Sequence, residues 1–194
     1  MGLIKRAGDL VYTFRFLTLL VTPFDKTKAY ETGIIDENGK RLKSANKNSE
    51  AYREYYTPFH RLVFNIKRLM AKAPGGSSRL ASYAAALFLI KENYSVSEKK
   101  ILKSLSEAGI DPTDLLAEES NWFVLESGQL SPGVYKLRHE KEAHEVDITF
   151  LPNEKVLVGE ECMPIGEMFG INIYEATHMR SKQKIYVTSL ELLR

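Results

Sequence analysis

The chain has 194 residues, with 27 Lys and Arg against 25 Asp and Glu, for a net charge of +2. A hydrophobic fraction of 44% and a charged fraction of 27% are ordinary for a globular protein and supply a core that needs no covalent staples. The single cysteine, Cys162, excludes an internal disulfide framework and a multi-cysteine zinc site, and no stretch reaches the ~18–20 apolar residues of a membrane span.

Residues 3–21 read as a first helix. Ile4, Ala7, Leu10, Val11, Phe14, Leu17 and Val21 recur at steps of three and four, and Phe16 and Leu20 widen the stripe. Such a helix is expected to be buried on most sides, in its own core or against a partner. Thr22-Pro23 ends it. Lys5 and Arg6 ahead of the apolar run resemble the start of a signal peptide, but no small-residue cleavage site follows. Arg6 also stands where myristoylation needs Ser or Thr, so a soluble protein is expected.

Residues 24–56 are polar and irregular. Within them GIIDENGKRL (33–42) has the form of a small hairpin, with Asn38-Gly39 at the turn. KSANKNSE (43–50) reads as a mobile loop. A second helix starts at Thr57-Pro58, with threonine as cap and proline at the first helical position. Phe59, Leu62, Val63, Ile66, Leu69 and Met70 give it one apolar stripe. Pro74-Gly75-Gly76 stops it, and Ser77 or Ser78 can cap a third helix. That helix has almost no polar face to about Glu92, which places it at the centre of the helical region. Ser95 and Glu98 have the spacing of a capping box for a fourth helix over 96–108, closed by Gly109 with Ile110 in contact behind it. Asp111-Pro112 opens a short fifth helix.

After about residue 120 the period changes. VYKL, VDITFL, KVLV, INIYEA and KIYVTSL are short strand-like runs separated by turn residues. Their number and order resemble the strand plan of SH3-like barrels. Where a peptide-binding SH3 domain would use a tryptophan, the strand at Gly170 reads GINIY, which argues against proline-motif binding. The expected fold is α+β, with a helical domain over 1–120 and a small SH3-like β barrel over 121–194.

Catalytic and ligand-binding motifs are lacking in the sequence. GIIDENGKR lacks the P-loop spacing, and Arg41 replaces the residue that would reach magnesium. His139, His144 and His178 lack the shaped spacing of a zinc site and read as solvated loop histidines, and His60 reads as a packing or capping residue of the second helix. Cys162 sits beside Glu160 and Glu161, which would raise its pKa and blunt it. No nucleophile elbow or dinucleotide-binding loop is present. No catalytic residue, metal ligand or cofactor is therefore assigned, and no small-molecule substrate is expected.

Charge is unevenly spread: residues 1–80 carry +8 and residues 81–194 carry −6. A basic front half can meet nucleic acid, an acidic protein surface or the acidic half of another copy. Its densest feature is the second helix. Arg61, Arg68 and Lys72 lie opposite the apolar stripe, with Lys67 and Arg79 near that line. An exposed row of this kind can track phosphates or an acidic partner.

Three blocks, KRAGDLVYTFRFLTLLVTPF, GIIDENGKR and YTPFHRLVFNIKRL with PGGSSRLASYAAALFLIKE, together resemble small proteins of T4-like and marine tailed bacteriophages. The resemblance extends to GINIYEATHMRSKQKIYVTSLEL at the C-terminal end. It implies a phage protein made in the bacterial cytoplasm or carried in the virion, with other phage proteins or further copies of itself as partners. The expected function is a non-enzymatic structural or assembly role through protein–protein contacts, with nucleic-acid binding by the basic face of helix 57–72 as the alternative.

Overall fold

Helix ends in the first half fall where threonine, serine, proline and glycine stand. A computed structural model describes residues 2–72, 77–110, 123–143 and 147–194, and of 2–9 and 77–81 the backbone only. The turn expected at 74–76 and the short helix expected from 111 lie outside the described residues, as does the expected domain boundary near 120.

The helical half contains α1 (Gly2–Val21), α2 (Lys28–Glu31), α3 (Glu50–Tyr55), α4 (Pro58–Lys72), α5 (Ser77–Tyr94) and α6 (Glu98–Glu107). Thr57 caps α4 as expected: its Oγ1 accepts from the His60 amide at 3.4 Å, and its carbonyl accepts from the Arg61 amide at 3.0 Å. Gly109 closes α6 with φ +79°, a conformation that suits glycine, and the Ile110 amide donates back to the Leu105 carbonyl at 2.9 Å. Every residue from Ser82 to Ile90 is buried, so α5 is the central helix.

The start of α6 departs from expectation. Its cap is Ser97, without a side-chain hydrogen bond, and Ser95 has φ +56°. Glu98 reaches outward instead: its Oε1 accepts from the Phe169 amide at 3.0 Å and ties α6 to the sheet. A capping box does occur at Thr188 and Glu191, which follows the same Thr-x-x-Glu spacing.

The irregular segment over 24–56 has its own small core. Ala29, Ile34, Ile35, Tyr52 and Tyr56 pack with Phe64 of α4. The hairpin expected at 33–42 is present in reduced form, with an isolated Ile35–Arg41 bridge and Gly39 at φ +74°. Residues 43–49, expected as a loop, consist of turns. Ser49 then caps α3 by accepting from the Tyr52 amide at 3.1 Å.

The second half contains β1 (Gly133–Leu137), β2 (Lys141–Glu142), β3 (Thr149–Phe150), β4 (Lys155–Val158), β5 (Gly166–Met168), β6 (Ile171–His178), β7 (Lys184–Val187) and β8 (Leu192–Leu193). All pairings are antiparallel, in the order β5-β6-β4-β1-β8, with β7 also on β6 and a separate β2–β3 pair. The chain is α+β. The expected barrel is not closed: the strand path among the described residues is open, and its ends, β5 and β8, are only three and two residues long.

Alternation along the strands sends Tyr135, Leu137, Val156, Val158, Tyr174, Ala176, Ile185 and Val187 into a β core with Phe150 and Leu192. The β6 residue Ile173 and the β5 residue Met168 face the other way. They join the helical core of Phe16, Leu62, Ile66, Leu87 and Ile101. The two halves therefore share apolar packing, and α5 lies against β5, β6 and β7.

Candidate functional site

The α4 arginines expected to face solvent are buried: Arg61 is 3% exposed and Arg68 5%. This corrects the reading of an exposed basic row. Helical spacing puts both side chains opposite the apolar stripe, and the β half covers that side with carboxylates. Arg68 Nε donates to Glu140 Oε1 at 2.6 Å, its Nη2 to Glu142 Oε1 at 3.2 Å and its Nη1 to the Gly39 carbonyl at 2.6 Å. Arg61 reaches Asp147 Oδ1 at 3.4 Å and the Ala143 carbonyl at 3.2 Å. The opposite charges of the two halves thus meet within one chain.

The other members of the row go elsewhere. Lys67 donates to the Thr22 carbonyl and sits 4.1 Å from the centre of the Phe24 ring. Burial brings its amine down to about 8, while the ring face favours the charged form. Lys72 is exposed, 3.6 Å from Glu140. The side chain of Arg79 lies outside the description.

The acidic partners have no sequence signature as a group: Glu140 and Glu142 lie in the charged run RHEKEAHE, and Asp147 lies in the strand-like run VDITFL. Asp147 is the most connected: it accepts from Tyr52 Oη at 2.5 Å and Lys47 Nζ at 2.8 Å and also faces Arg41. Burial works to raise its pKa, but Lys47, Tyr52 and Arg41 together hold the carboxyl below its ordinary value. Burial acts on Glu140 in the same way, and Arg68 overcomes it. At Glu142 burial wins and the pKa is raised despite Arg68 and Arg61. Nearby, Lys141 Nζ pairs with Glu191 Oε1 at 2.5 Å in a second buried ion pair.

Beside these pairs lies a cavity of about 310 Å³, walled by α4, α5, β2, β3 and the start of β7. Leu62, Ala86 and Phe150 make its wall largely apolar, and Asn65, Glu142 and Gln183 add polar groups.

No known protein family, curated protein or solved structure matches the chain.

A second feature lies on α1. The expected apolar stripe is divided between two faces. Phe16 is fully buried, whereas Leu10 is 65% exposed, Phe14 69% and Val21 51%. Leu10, Phe14, Leu17 and Val21 follow steps of four, three and four, and the sequence continues this spacing backwards through Ala7 and Leu3. That is the three-four repeat of apolar residues found along coiled-coil seams.

His178, expected to be solvated, is buried against Phe150, with Nδ1 2.8 Å from Ser181 Oγ. His139 is half-buried, and His144 lies outside the description. Cys162 has a raised pKa, chiefly from burial, which the hydrogen bond to the Glu175 carbonyl opposes and the Glu175 charge reinforces. Among the described residues no group of three or more His, Cys, Asp or Glu is placed to hold a metal ion, and no helix is long and apolar enough to cross a membrane.

Proposed function

We propose that the protein is a non-catalytic assembly component that works through protein–protein contacts, with the outward seam of α1 packing against α1 of a second copy. The exposed Leu10, Phe14 and Val21 carry this reading. An apolar helix face left in water is unfavourable by roughly 25 cal/mol per Å². Its heptad spacing matches an identical helix better than it matches a flat surface. In the phage setting implied by the sequence blocks, such a self-associating unit is a structural or assembly protein. Nucleic-acid binding is less favoured, because the two arginines best placed for phosphates are engaged by Glu140, Glu142 and Asp147.

Sedimentation equilibrium on the wild type and on Phe14→Glu tests the reading. The wild type should be a dimer, and Phe14→Glu should sediment as a folded monomer. A wild type that stays monomeric at every concentration reached would rule out self-association through α1.

A further inference from the structure

We propose that the cavity between α4, α5 and the β2–β3 and β7 strands is a binding site for a neutral, mainly apolar small molecule that carries one N–H or O–H donor. Three observations fix that chemistry. The first is size and wall. At about 310 Å³ the cavity falls at the lower end of the ~300–1,000 Å³ common for ligand sites, and Leu62, Ala86 and Phe150 give it apolar walls. Alanines on the α5 side keep the space open where a larger residue would fill it.

The second observation is charge. Two charged groups on the wall are already engaged: Lys141 with Glu191 at 2.5 Å, and Glu142 with Arg68 at 3.2 Å. A third lining residue, the exposed Lys184, pairs with Glu175 at 2.8 Å. A charged ligand would lose its hydration without gaining a free counter-charge, so a neutral one is preferred.

The third observation is an unmet acceptor. Gln183 lines the cavity, and its side-chain Oε1 is buried and accepts no hydrogen bond. A buried carbonyl oxygen without a donor is costly. The terminal torsion of glutamine is soft, so a small turn presents Oε1 to a donor held in the cavity. A ligand N–H or O–H placed there would satisfy it.

Amide NMR shifts of the full chain, titrated with indole and 1-naphthol, test the proposal. Their donor-less partners, 1-methylindole and 1-methoxynaphthalene, serve as controls. Indole and 1-naphthol should shift the amides of Ala85, Ala86 and Ile185. They should bind about fivefold more tightly than the methylated partners, as expected for one hydrogen bond. Gln183→Leu should remove that preference, and Ala86→Leu, which fills the space, should remove binding. Absence of shifts with all four probes would overturn the proposal. So would shifts confined to α1, or equal binding of the methylated partners to the wild type.

Discussion

Arg68 and Glu142 form an ion pair at 3.2 Å with both side chains almost wholly buried, 74 residues apart in sequence. The pair joins α4 to β2. Because the charges are out of water, removing one partner costs more than the pair is worth. Arg68→Ala should lower unfolding free energy by about 3–5 kcal/mol, read by urea denaturation. The double variant Arg68→Met/Glu142→Leu should recover part of that loss, since the Glu142 charge is removed with its partner while Glu140 keeps Lys72 at 3.6 Å. A single-variant loss under about 1 kcal/mol would mean that water reaches the pair.

Asp147 gathers Tyr52, Lys47, Arg61 and Arg41 around one carboxylate. Its folded pKa is below the ordinary value, so the ionised form is favoured by folding. The stability it contributes is present above the ordinary carboxyl pKa and is lost as pH falls through the lower folded value. Asp147→Asn should destabilise the protein at neutral pH and flatten the most acidic part of its stability profile. An unchanged acid limb in the variant would remove Asp147 from this role.

His60 titrates in a separate window. Burial, and then the Arg15 charge, bring its folded pKa down to about 4 from 6.5. The unfolded chain binds the extra proton between those values, so stability rises with pH across that window. The contribution is complete above about 6.5 and falls away towards 4, amounting to roughly 3 kcal/mol. In thermal melts against pH, His60→Gln should have a shallower slope, the remainder coming from His139, whose pKa is also lowered, first by burial, while the Asp147 limb at lower pH remains.

Gly166 leaves room for Phe88: a Cβ built on it would collide with the ring. The contact joins α5 to β5. Gly166→Ala should therefore destabilise by about 1–3 kcal/mol through overpacking. Phe88→Leu in the same chain should restore part of that loss, giving a favourable coupling in a double-mutant cycle. Additive effects would show that the clash is relieved elsewhere.

Phe14 and Phe16 sit two residues apart on α1 with opposite environments, 69% and 0% exposed. Phe16→Ala should cost about 3–5 kcal/mol as a core truncation. Phe14→Ala should change the stability of the isolated monomer by no more than about 0.5 kcal/mol. The comparison is made by denaturation at a concentration where the monomer dominates. Equal losses would place Phe14 inside the fold.

The elements legible in the sequence are those decided by neighbours along the chain. Thr57 and Pro58 start α4, Gly109 and Ile110 close α6, and alternating residues build β4, β6 and β7. Caps, positive-φ glycines and two-residue periods act over one or two turns of backbone, so their physics is local. The continuous apolar run of α5 likewise identifies a central helix before any partner is known.

Tertiary structure alone decided what each face meets. A helical period shows that Arg61 and Arg68 oppose the apolar stripe, but water and carboxylates 72–86 residues away satisfy an arginine equally well. The broad stripe of α1 left open whether Phe14 or Phe16 faces the core. Glu98 had the spacing of a capping box but bonds the Phe169 amide across the fold. The cavity beside Gln183 has no linear signature at all, because its walls come from α4, α5 and three strands brought together only by folding.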